Sequence, residues 1–331
     1  MNEAEALANL LGRGQPAAER DAAPLAAAPP EPRPSAAPQN AAHPDAAPAD
    51  AAPGAAMGRF WLLIGAGLLA CAGWIMGSVA LLEHWMEQGH FGTGWTVGRI
   101  DLTASLFVFG GLLGVSLLMM RLMPVAAGGR RMGVLPASAL GLALGVGGVM
   151  FSVLQAWLGN HVVPAPPESA ATAGVASLLL GAVVIFFEAG VEEICFRGWL
   201  QRRLAARISP AAAVTVAAVA FSLLHVFGGA RTPLSLVNIF LAGLLFGLLL
   251  LRTGSIWAAI WAHVGWNWAE TNLFGLSPNP GASSYGTIVD LDLVGAHIWG
   301  GSVEGLNASI AITVVLVALI LPLLAMRPQP A

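Results

Sequence analysis

Runs of about twenty apolar residues recur from Arg59 almost to the end of the chain, and nothing in the sequence constrains the fold more. Twenty helical residues rise about 30 Å, the depth of the hydrocarbon core of a bilayer. Eight such runs are present, at roughly 60–82, 102–120, 135–158, 171–200, 210–227, 234–251, 255–273 and 307–326. In lipid, backbone N–H and C=O groups must satisfy one another, so unbroken runs of this length fold as helices. The expected class is all-α, a polytopic membrane protein with about eight transmembrane helices. Composition agrees: 56% of residues are hydrophobic and 10% charged, against about 25% charged in soluble domains. Gly and Ala are frequent in the runs, which permits close helix packing. No inverted repeat of the transporter kind is evident.

Residues 1–57 differ in kind. They are rich in Ala and Pro, and such a segment buries too little apolar surface to offset its chain entropy. The expected organisation is a disordered cytoplasmic tail at 1–57 and a transmembrane domain at 58–331. The tail lacks the early apolar core of a secretory signal. A net charge of −3 gives no sign of a nucleic-acid partner, and all fifteen basic residues are Arg. Cys71 and Cys195 lie within apolar runs, so buried thiols rather than a disulfide framework are expected.

Arginines set the expected orientation. Arg59 precedes the first run. Arg121, Arg130 and Arg131 follow the second, Arg202, Arg203 and Arg207 the fourth, Arg252 the sixth and Arg327 the eighth. The other faces hold only Arg99 and Arg231, with several acids. Both termini are therefore expected in the cytoplasm, with the protein in the inner (plasma) membrane. The segment 275–305 then falls outside. It reads as a solvated loop, with covering the site as the alternative.

An ionisable side chain embedded in a bilayer costs roughly 2.5–3.5 kcal/mol on insertion scales. The residues read as embedded are Glu188, Glu192, Glu193, Arg197, His225 and His263, all on runs four, five and seven. At 1.5 Å per residue, Glu192 lies about 15 Å, His263 about 16 Å and His225 about 22 Å in from the basic boundary of its run. They can thus share one shell near mid-membrane. Glu193 and Arg197 are spaced i,i+4 and can pair, while Glu192 points about 100° away. Glu188 and Glu192 share the other face, where like charges oppose joint ionisation. His263 and Asn267 project together, as do Phe221 and His225.

Several chemistries fit. A carboxylate and a histidine can activate water, and a second histidine beside an amide can donate to an oxyanion. Alternatively, Glu192, His225 and His263 could bind zinc with an open position for water. The chain lacks HExxH and GxSxG, which removes the zincin helix and the nucleophile elbow. Cys195 lies i+3 from Glu192, where a negative neighbour disfavours thiolate. Taken singly, the Glu193–Arg197 pair reads as packing and each histidine as hydrogen-bonded structure; Glu188 has no assigned role. The pattern as a whole points further.

"EEICFRG" (192–198), "FSLLH" (221–225) and "HVGWN" (263–267) resemble the three motifs, EExxxR, FxxxH and HxxxN, of the CAAX-protease and bacteriocin-processing (CPBP, Abi) intramembrane peptidases. "LAGLLFGLLLLRTGSIWAAIWAHVGWN" resembles the corresponding helix pair of that family. The resemblance covers about 171–270. It implies an intramembrane endopeptidase acting on membrane-associated or lipidated substrates within the lipid bilayer. Position by position, it implies that Glu192 and His225 activate water, that His263 and Asn267 stabilise the oxyanion, and that Glu193, Arg197 and Phe221 support the site. The family is often labelled metalloendopeptidase, yet the motifs also suit a metal-free glutamate mechanism. The metal-free form is favoured, since an Asn amide suits an oxyanion better than zinc, so no cofactor is expected. Two other classes compete: a non-enzymatic immunity or scaffold protein retaining the fold, and a proton-coupled transporter.

Overall fold

The computed structural model describes residues 53–326 apart from 93, 126–130, 167–173, 228–229, 231, 278 and 280–282. The tail expected at 1–57 lies outside the described residues as far as residue 52, as do Arg130, Arg231 and Arg327. Helix begins at Pro53, inside the last residues assigned to the tail.

Each of the eight apolar runs is helical. In chain order they are α1 (Pro53–Glu87), α2 (Val97–Leu122), α3 (Val134–Leu158), α4 (Val175–Ala205), α5 (Pro210–His225), α6 (Pro233–Thr253), α7 (Ile256–Trp268, extended by Ala269–Leu273) and α8 (Ile310–Ala325). The protein is thus an all-α polytopic membrane protein. Five helices, α1 to α4 and α6, are long and apolar enough to cross a bilayer, whereas α5 and α8 are shorter apolar helices. Each of these two has 16 residues, or about 24 Å of rise, less than the full hydrocarbon depth. The eight expected apolar helices are thus all present, five of them with the length and composition of a full crossing.

The helix ends follow from local chemistry. Thr96, Ser209, Thr232 and Ser309 cap the starts of α2, α5, α6 and α8, each accepting from a backbone N–H of the first turn. Pro210 and Pro233 open their helices, where a missing N–H costs nothing. Gly254 ends α6 in the left-handed region at φ 66°, as a C-terminal glycine does. Two boundary arginines close neighbouring helices. Arg203 donates to the Met123 carbonyl beyond α2, and Arg252 donates through Nε to the Leu323 carbonyl of α8 at 2.8 Å.

α3 and α7 form the most extensive helix pair, and glycines explain why. A Cβ on Gly141 would stand 2.3 Å from the Ala258 carbonyl oxygen, and one on Gly145 2.2 Å from that of Ala262. With Ala137, they make a small-residue seam along which the two backbones touch. Gly145→Ala is expected to wedge α3 off α7 and to destabilise the protein by about 1–3 kcal/mol. An unchanged midpoint of SDS-induced unfolding in mixed micelles would contradict this seam.

Two features interrupt the helical pattern. Ile194–Gln201 of α4 and Ala269–Leu273 of α7 are π-helical, a widened turn that recurs at functional sites. In addition, β1 (Val162–Pro164) after α3 pairs antiparallel with β2 (Leu291–Leu293) after α7, with Val163 opposite Asp292.

Candidate active site

A cavity of about 540 Å³ lies among α2, α4, α5, α6, α7 and α8. Glu192, His225, His263 and Asn267 all line it, and so do Glu188 and Phe221. Three helices far apart in sequence thus deliver the four candidate catalytic side chains to one volume. Glu192 stands at the junction where α4 passes into its π-helical turns. His225 is the last residue of α5. His263 and Asn267 lie one turn apart on α7.

Behind the cavity wall lies a closed ionic cluster. Glu193 and Arg197 are both 0% exposed, and Arg197 Nη1 donates to Glu193 Oε1 at 2.9 Å. Arg197 Nη2 donates to the Gly243 carbonyl at 2.9 Å. Its guanidinium lies 4.6 Å from the Phe221 ring, 5.3 Å from Phe246 and 5.9 Å from Phe196. A dry cation enclosed by three aromatic faces is held by their quadrupoles as well as by its carboxylate.

The cluster reaches forward to the site. His263 Nδ1 lies 3.0 Å from Glu193 Oε1, while its Nε2 lies 3.7 Å from Glu192 Oε2. With Nδ1–H donated to Glu193, the ring is fixed in orientation and presents Nε2 to the cavity. The Phe246 ring lies nearly parallel to His263, 21° between planes and 4.8 Å between centroids. His225 is oriented in the same manner, with Nδ1 2.8 Å from the Phe221 carbonyl and its ring 4.4 Å from the Phe221 ring. Both histidines therefore turn one nitrogen to a fixed protein acceptor, leaving the other for chemistry.

Several partners were not legible in the sequence. Glu193 serves Arg197 and His263 together, and Phe246 supports His263. Glu188 accepts a hydrogen bond from Ser105 of α2, which gives it a place on the cavity wall. Cys71 and Cys195 are both buried with sulfurs 3.8 Å apart. The clearest omission is Glu270. It lies within the seventh apolar run, lines the cavity, is 4% exposed, and its Oε1 has no hydrogen-bond partner among the described residues. The signal was available, for it is an embedded acid three residues beyond Asn267, and it adds a seventh member to the six embedded ionisable groups expected from sequence.

The segment after α7, read as a solvated loop, covers the cavity instead: Ser277, Ser283, Ser284 and Tyr285 line it. Short polar anchors hold this roof. Asn272 Nδ2 donates to the Gly286 carbonyl at 2.9 Å, and Asn279 Oδ1 accepts from the Leu293 N–H at 2.8 Å. The Tyr285 hydroxyl donates to the Gly98 carbonyl at 3.3 Å. Burial, reinforced by the nearby Asp101, raises the Tyr285 phenol above its ordinary range, so it stays a donor.

Among the described residues, no group of three His, Cys, Asp or Glu side chains is arranged to hold a metal ion. A carboxylate, two histidines and an amide facing one polar volume can, without metal, take a proton from water and donate to a developing oxyanion.

Residues 174–269 match the family described as type II CAAX prenyl endopeptidase Rce1-like. No curated protein and no solved structure matches the chain.

Proposed function

We propose that the protein, whose residues 174–269 match the type II CAAX prenyl endopeptidase Rce1-like family, is an intramembrane endopeptidase of the glutamate type. The observation that carries this reading is the meeting of Glu192, His225, His263 and Asn267 around one cavity. The substrates are peptides or proteins that enter from the bilayer, and the protein resides in the inner membrane with both termini in the cytoplasm.

Glu192 takes a proton from a water molecule as that water adds to the scissile carbonyl carbon, with His225 holding the water in place. Charge then develops on the carbonyl oxygen. The Asn267 amide donates to it, joined by His263 Nε2 when the ring carries both protons. Glu193 receives Nδ1–H of His263 and so keeps the ring aimed. On collapse the C–N bond breaks, and the leaving amine takes the proton held by Glu192.

The test is cleavage of membrane-protein or prenylated-peptide substrates by purified protein reconstituted in lipid. Cleavage is expected to persist in a strong chelator. Inhibition reversed by zinc would select the metal form instead, and activity surviving Glu192→Ala and His225→Ala together would overturn the assignment.

A further inference from the structure

Glu270 is one of three carboxylates of this cavity, with Asp101 and Glu188, that the reaction above does not use. Among the described residues that line the cavity, Glu192 faces His263, Glu188 accepts from Ser105, and Asp101 stands beside Tyr285. Glu270 alone among these acids keeps a buried oxygen, Oε1, with no partner. A buried carboxylate left unpaired is costly, so its retention beside a reaction centre asks for a ligand.

The surroundings indicate which ligand. Four carboxylates, Asp101, Glu188, Glu192 and Glu270, line the cavity and no described arginine does, while the chain contains no lysine. Trp266, Ile312 and Leu316 line the same volume. An acid that shares a volume with apolar walls suits a long aliphatic stem ending in a cation.

Position indicates where on a substrate that cation sits. His263, Asn267 and Glu270 follow one another along α7 and all line the cavity. Glu270 lies about 4.5 Å beyond Asn267 along the helix axis and about 10 Å beyond His263. An extended peptide advances about 3.3 Å per residue.

We propose that Glu270 is a specificity-determining residue that pairs with a basic side chain carried by the substrate within a few residues of the scissile bond. This rests on the endopeptidase reading, since it requires a peptide lying between Glu192 and Glu270. A structural acid would show no preference among substrates.

Binding can be measured without turnover. The Glu192→Gln protein in lipid nanodiscs is titrated with fluorescent apolar peptides in which a single Arg is moved along the chain, each matched by a Gln peptide. At one or two positions the Arg peptide is expected to bind about tenfold more tightly, the worth of one charge-assisted bond. Adding Glu270→Gln is expected to erase that preference. Equal binding of every matched pair, or a preference that persists with Glu270→Gln, overturns the inference. Should Glu270→Gln not fold, Glu270→Leu, which fills the site without a charge, carries the comparison, and a preference that persists there overturns it equally. If the wild type cleaves none of these peptides, the peptidase reading is at fault, and the binding comparison still decides on Glu270.

Discussion

Glu192→Gln is expected to lower the rate of peptide cleavage by about 100- to 10,000-fold, the range for removing a general base, with little change in substrate affinity. The substitution keeps the shape of the side chain and removes its ability to take a proton. Glu192 is only partly buried, and its one described ionic contact is the 3.7 Å approach to His263. The unfolding midpoint should therefore stay near that of the wild type. Single-turnover cleavage in lipid separates the two quantities. A variant that retains its rate would show that Glu192 is not the base. A variant that loses its fold would show that the 3.7 Å contact holds the helices together.

The second large effect concerns stability. Arg197→Met is expected to destabilise the protein by about 3–5 kcal/mol, because it leaves Glu193 buried without its principal counter-charge. Both partners are fully enclosed, so water cannot take the place of the guanidinium. The same change vacates the Gly243 carbonyl and removes the cation from the Phe196, Phe221 and Phe246 rings. Glu193→Gln in the Arg197→Met background should recover part of the loss. Because Glu193 also holds His263, the double variant should regain stability without regaining activity. SDS-induced unfolding and cleavage, measured on the same preparations, read these two outcomes. An Arg197→Met protein as stable as the wild type would demote the cluster to a neutral packing pair.

These two residues show what the chain reveals before it folds. Helices were legible because burying a backbone in lipid leaves one solution, and the costly residues advertised themselves as charges within apolar runs. Glu192, His225, His263 and Asn267 stood out on that ground. The Glu193–His263 contact did not, because it joins helices 70 residues apart and no local spacing encodes it. The π-helical turns after Glu193 were equally silent, since propensity does not separate i→i+5 from i→i+4 bonding. The segment after α7 misled for a different reason. Its Gly, Ser and Pro residues read as solvent-facing, whereas Asn279 within it and Asn272 at the end of α7 turn their amides inward to satisfy a buried backbone. Glu270 was missed by attention to motif, for its cost in the membrane is the same as that of Glu188.

The pairing of β1 with β2 bears on biosynthesis. Its two strands are separated by the whole of α4 to α7, so neither can find the other until the last motif helix is in place. Contacts of such long range form late. A chain emerging from the ribosome therefore holds Glu192 and His225 in the membrane before the lid of the chamber exists. The segment that covers the polar cavity, from Ser277 through Tyr285, is likewise made only after Glu192 and His225 are in place.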